Sequence, residues 1–352
     1  MTWRIFGPRE FSACAPTWRQ LVSQMAVRHP TLEADFLFSA CRVLCDDPRR
    51  VHLGCHTRDD GVVDTAVLLE RLQFGIWQVL STAHLPVAPI VWNARATTTR
   101  TGIESLIRSL PGAALFLRAA NWDPDYSPAL PSGVCFDSSP THTAVRVDVV
   151  GTFDEYWSNR SKNLRRSMRG LLNKTAAEGL SPKLVVLRTP SEIDSAIEAH
   201  GRLEATGWKR QSGKPLSKGD AETDFYLELL RDVAPENRAR IFQLYLGGRL
   251  AASQFGVVAG STLALLKTGY DDSLSRFAPG RVLDYLMLQR LFEEKDVGRV
   301  EYCTIASEDD IRWSTSQRQI FEVEIFRHSL VKSGINAARK MKRAIHNWRR
   351  RA

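Results

Sequence analysis

The 352-residue chain lacks any apolar stretch approaching the roughly 20 residues of a bilayer-spanning helix. Its opening, MTWRIFGPREFSACAP, lacks the continuous apolar centre of a secretion signal and carries Arg9 and Glu10 early. A cytoplasmic location is expected. The six cysteines (14, 41, 45, 55, 135 and 303) are scattered and form no CxxC pair. That spacing argues against a disulfide framework or a zinc site, and reduced, mostly buried thiols are expected. No metal site and no tightly bound cofactor are expected. Acid is missing from one end: nothing after Glu324 is acidic. The chain has 48 Lys and Arg against 39 Asp and Glu, and nine of the basic residues follow Glu324. The tail therefore accounts for the whole excess of nine, so the body of the fold has no nucleic-acid-binding charge balance.

What is present is a soluble globular composition, 43% hydrophobic and 25% charged, with length enough for two domains. Helical spacing of apolar residues marks 17–27, 31–45 and 101–110. Residues 51–57 alternate as a strand, Arg58-Asp59-Asp60-Gly61 is a turn, and VVDTAVLLE is its hairpin partner. Residues 85–92 are an edge strand or loop, 113–120 a strand, and the Pro- and Ser-rich 121–140 a connector.

The second half is punctuated more clearly. Strands are expected at 141–149, 183–188, 299–306 and 319–327, with a hairpin turning on Gly247-Gly248 and a strand after it. Thr152 begins a helix, and the helical stretch behind it has six basic residues and no acid between Tyr156 and Ala177. Further helices follow at SEIDSAIEAHGRLEATGW and 220–235, and Pro279-Gly280 opens another. The order predicts an α/β fold with mixed, mainly antiparallel sheets flanked by helices. The expected division is 1–140, 141–330 and a basic amphipathic helix at 331–352. Val331, Ile335, Ala338, Met341, Ile345 and Trp348 form its apolar stripe. That stripe is expected to dock on the second sheet or on a partner, with its charges attracted to an anionic membrane, RNA or an acidic protein.

The run LLKTGYDDSLSRFAPGRVLDYLMLQRLF resembles the cellulose-biosynthesis-associated acetyltransferase-like family, a branch of the GNAT N-acyltransferase superfamily. ATGWKRQSGKPLS and NLRRSMRGLLNKTAAEG resemble two further segments of that family, and the resemblance covers about 145–327. It implies tandem GNAT-like folds, related to Fem-type transferases. It also implies direct transfer of an acyl group from acyl-CoA, or another phosphopantetheine thioester, to an amine of a small-molecule or saccharide-related acceptor. An acyl-carrier protein or a charged tRNA is an alternative donor, and a catalytically silent scaffold a further alternative. The oligomeric state stays open.

By that resemblance the loop Ser275–Arg281 grips the donor's phosphates. Arg276, Phe277, Ala278, Pro279, Gly280 and Arg281 are donor-binding candidates, with Lys267 near the end of the preceding strand. Gly280 permits close backbone approach, and either arginine can pair a phosphate. Tyr270, Asp271, Glu301 and Cys303 are candidates for proton work. Tyr270 either protonates the leaving thiolate or packs on the helix. Asp271 either takes part or caps a turn, and Cys303 is either a nucleophile or a structural thiol. Trp208, Lys209, Arg312 and Trp313 are acceptor-side candidates. The chain departs from the family pattern at Cys303, where an Asp is usual, and at Ile311-Arg312, where a Tyr-Lys pair is common.

Overall fold

The computed structural model describes residues 2–45, 47–93, 100–206 and 215–349. Its strands are β1 (Thr2–Phe6), β2 (Val51–Thr57), β3 (Val63–Gln73), β4 (Ile76–Val79), β5 (Ile90–Trp92), β6 (Phe116–Trp122), β7 (Phe136–Asp148), β8 (Pro182–Leu187), β9 (Ala239–Leu246), β10 (Arg249–Ala259), β11 (Thr262–Tyr270), β12 (Arg299–Glu301) and β13 (Ser316–Phe326). Its helices are α1 (Phe11–Gln24), α2 (Ala34–Val43), α3 (Arg100–Ser109), α4 (Phe153–Ser158), α5 (Lys162–Ala177), α6 (Pro190–Thr206), α7 (Ala221–Val233), α8 (Pro279–Glu294), α9 (Glu308–Trp313) and α10 (Ser329–Arg349). The fold is thus mixed α/β, with mainly antiparallel sheet strands flanked by helices.

Two compact units divide the chain: residues 1–26, 46–141 and 319–352 in one, residues 27–45 and 142–318 in the other. One break falls at 141/142, where the expected division has 140/141. The other crossings differ from it, because α2 packs with α7 and the chain beyond Arg318 returns to the first unit.

In the first unit β2 and β3 form the expected hairpin, β1 pairs β2, and β4 and β5 both pair β3. β6 joins β4 in parallel and β13 antiparallel. Trp77, Trp122, Leu117 and Val323 fill its core. The tail helix α10 belongs to this unit, not to the second sheet. Arg339 grips Glu324 through two bonds of 2.7 and 2.6 Å, and Lys332 reaches Asp137 at 2.7 Å. Leu330 and Met341 are exposed.

In the second unit the strand order is β8-β9-β10-β11-β12-β7. Only β11 and β12 run parallel, and they pair over three residues, Thr262–Ala264 with Arg299–Glu301. The strand expected at 299–306 ends at Glu301, while β7 starts earlier than expected, at Phe136. α8 packs on β8 to β11 with α4 and α5 against it, and α6 packs on β8, β10 and β11 with α7 beside it. The basic helical stretch is broken. α4 starts at a reciprocal Thr152–Glu155 capping box, and α5 starts afresh at Ser161, whose side chain accepts from the Leu164 N–H. Gly247 and Gly248 both have positive φ, 55° and 81°, as a type I′ turn requires.

β10 and β11 slip register between Phe255 and Gly256, which leaves Leu266 without a residue opposite. The strands come so close there that a Cβ on Gly256 would lie 2.2 Å from the Ala264 carbonyl oxygen. Gly256→Ala is expected to lose ~1–3 kcal/mol by forcing backbone apart. Gly170→Ala, in α5, where an added Cβ meets nothing within 4 Å, should gain about 0.5–1 kcal/mol. Urea denaturation of both variants checks this, and unchanged stability of Gly256→Ala would refute the close approach.

Candidate functional site

β11 runs six residues past its last pairing with β12. Beside this stretch lies an open cleft of about 370 Å³ lined by Thr268, Tyr270, Ser275, Ala278, Pro279, Gly280, Arg281, Asp284 and Asp309. The chain leaves β11 through a 3-10 turn, Asp272–Phe277, and Ala278 in the left-handed region (φ 46°, ψ 59°) turns it into α8. Such a conformation costs a non-glycine residue ~1–2 kcal/mol. Pro279 has no N–H to leave unpaired, and the first helical bond runs from the Val282 N–H to the Ala278 oxygen. The N–H groups of Gly280 and Arg281 therefore precede the ladder, and no side chain caps them. An added Cβ on Gly280 meets nothing within 4 Å, so this backbone is open to approach. Cleft, helix dipole and two uncapped donors together suit an anionic group.

The side chains of the loop take other places than the sequence suggests. Phe277 is wholly buried in the core. Arg276 lies over its ring and pairs Glu178 at 2.6 Å. Arg281 is held by both oxygens of Asp309, each at 2.8 Å. Lys267 faces away from the cleft, because side chains alternate along a strand and Thr268 and Tyr270 line it. Its ammonium lies 3.0 Å from Glu222 and 3.8 Å from Glu204, whose side chain is fully buried. Glu204 also accepts from the Leu216 N–H at 2.9 Å and lies 3.4 Å from His200. Gly269, two residues on, admits this cluster, since a Cβ there would stand 3.2 Å from Glu204.

Among the proton candidates, Tyr270 lines the cleft, and burial followed by Asp272 raises its phenol above the usual range. Asp271 is 5% exposed; it caps the 3-10 turn through the Ser273 N–H and hydroxyl and pairs Arg249. Glu301 is buried against Arg318 at 2.9 Å. Cys303 has a left-handed φ of 52°, just past the end of β12. Its sulfur is 3.9 Å from His29 Nε2, on a histidine 274 residues away in sequence. The Thr31 N–H donates to His29 Nδ1, which leaves the proton on Nε2, and burial pushes His29 down to about 3. A neutral imidazole with its N–H towards the sulfur does not remove the thiol's proton.

On the acceptor side Trp208 and Lys209 lie outside the described residues. Trp313 is buried in the core beside Trp157, and its carbonyl accepts from the Tyr156 hydroxyl at 2.7 Å. Arg312 is exposed beside Glu308 and Asp309. In the first unit His52 and His56 have an HxxxH spacing but lie on a strand. They take separate partners, the Arg50 carbonyl and Asp64.

Asp284 is the residue that sequence reasoning passed over. It lies one helical turn beyond Gly280 and lines the same cleft. Burial, then Asp310 and Asp309, push its carboxyl up to about 8. Between the ordinary carboxylate range and that value the native state holds a proton that the unfolded chain has released. Stability therefore falls as pH rises across this window and levels off above it. Asp284→Asn removes the fall, so its stability advantage over the parent should grow from about pH 5 to about pH 8 and then hold. Urea midpoints across that range test this, and a constant difference would refute the buried acid.

Residues 158–309 match the family described as the acetyltransferase (GNAT) domain. No curated protein matches in sequence. FemX is similar in structure, with a TM-score of 0.58 and 10% identity over 94% of this chain and 99% of that one. A conserved protein of unknown function from Bacteroides thetaiotaomicron has a TM-score of 0.56 and 12% identity over 89% of this chain and 97% of its own. The C-terminal domain of a putative lysylphosphatidylglycerol synthetase from Agrobacterium fabrum has 0.55 and 11%, over 92% and 96%. At such identities the likeness is one of fold. The segment matched by the family, residues 158–309, lies within the second unit.

Proposed function

We propose that the protein is an N-acyltransferase of the cellulose-biosynthesis-associated kind, taking its acyl group from a phosphopantetheine thioester. The acceptor is then an amine of a small-molecule or saccharide-related compound. The observation that carries this reading is the pair of uncapped N–H groups at Gly280 and Arg281, opening on the cleft where β11 and β12 have parted. A phosphate of the donor sits on those groups, and the thioester arm runs along the free edge of β11.

The acceptor amine attacks the thioester carbonyl, the tetrahedral adduct collapses, the C–N bond replaces the C–S bond, and the thiolate leaves. One proton departs from the attacking nitrogen and one must reach the sulfur. Tyr270 and Asp284 are the protonated side chains of the cleft. Holding the donor in line with the amine supplies the remainder of the acceleration.

Gly280→Val puts a branched side chain into open space at the phosphate position. Donor affinity measured by calorimetry with acetyl-CoA should fall at least tenfold while the thermal midpoint stays close to the parent's. Unchanged affinity in the folded variant would remove the cradle. Tyr270→Phe should leave donor affinity intact and slow turnover by ~10²–10⁴. A rate within about threefold of the parent would exclude Tyr270 as the proton source.

A further inference from the structure

The helix α5 is basic along its whole length. It carries Lys162, Arg165, Arg166, Arg169 and Lys174 and no acid. Lys162, Arg166 and Arg169 are exposed and spaced by four and three, so they form one row along the helix. The row leads to the cleft. α5 packs against both α8 and the 3-10 turn, and its Lys174 ammonium donates to the Arg276 carbonyl oxygen at 3.2 Å. At 1.5 Å per residue, Lys162 lies about 18 Å along the helix from Lys174.

The cleft itself is close to electrically balanced. Arg281 is taken by Asp309, Arg276 by Glu178, and Asp284 holds its proton. It offers a phosphate two backbone donors and little spare positive charge, whereas the exposed cations stand outside it, along α5. This distribution fits a donor whose single phosphate enters the cleft while the body that carries it brings its own negative surface. An RNA carrier fits less well, because the exposed row of α5 holds no aromatic platform on which bases would stack.

We propose that the exposed row Lys162–Arg166–Arg169 is a docking surface for the acidic helix of an acyl-carrier protein, which delivers its phosphopantetheine thioester to the neighbouring cleft. This rests on the thioester reading above and specifies its donor. Transfer proceeds as already described, with the carrier's thiol as leaving group.

The test uses the full chain, an acetyl-loaded bacterial acyl-carrier protein, acetyl-CoA and a charged tRNA. Two triple variants are compared with the parent: Lys162→Glu with Arg166→Glu and Arg169→Glu, and the same positions changed to Gln. The Kd for the loaded carrier should rise at least about tenfold on reversal and less on neutralisation, with the parent's binding weakening as salt is raised. Acetyl-CoA affinity should stay within about twofold in all three proteins. Carrier binding that is absent in the parent, or unmoved by either variant, would overturn the inference, as would binding of tRNA alone that the reversal abolishes. Salt-sensitive carrier binding lost on reversal supports it even if no thioester is turned over, and that second outcome counts against the transfer reaction instead.

Discussion

The second unit is organised by a parallel pairing that stops after three residues. Thr262–Ala264 bond to Arg299–Glu301, and beyond that point the two strands separate. Backbone polar groups in a fold's interior need partners. A sheet that parts must therefore find other ones, or leave room for a molecule that supplies them. Much of the neighbouring geometry serves this separation. The register slip at Gly256 leaves Leu266 without a residue opposite just after the gap opens, Cys303 turns through a left-handed φ just past β12, and Ala278 does the same on the way into α8. Three irregularities around one gap are costly in a chain that needs only a closed sheet.

The alternation of β11 divides the surroundings of the gap. Thr268 and Tyr270 face the helix start, where the backbone is open and the charges are balanced. Lys267 and Gly269 face α6 and α7, where the buried Glu204 and His200 and the half-buried Glu222 make a polar cluster. A buried charge without partners is expensive, and each of these is paired. The two sides thus differ in kind: one exposes peptide groups, the other holds its polar atoms in mutual contacts.

Much of this was legible in the sequence. The capping of α4 by Thr152, the glycine pair of the β9–β10 hairpin and the Pro-Gly start of α8 are local signals with local causes, and each lies where expected. The dissolution of 302–306 into loop was not legible, because its apolar alternation is that of a strand and only the parting from β11 ends it. The orientation of Lys267 was within reach, since it is three residues from Tyr270 and so on the other face of the strand. The perturbed Asp284 was not, because its neighbours Asp309 and Asp310 arrive from a different element. The proximity of His29 to Cys303 and the membership of α2 in the second unit depend on contacts that no local pattern encodes.

The interleaving of the two units bears on how the protein is made. Residues 27–45 leave the ribosome early, yet α7, the helix that α2 packs against, is formed from residues 221–233. The β6 edge of the first unit in turn waits for its partner β13, which is translated only after residues 142–315. The first unit cannot complete its core until the second has been synthesised, so its β6 edge stays uncovered through that interval by the order of the chain. A nascent chain of this kind depends on protection of that edge more than a protein whose domains follow one another along the sequence.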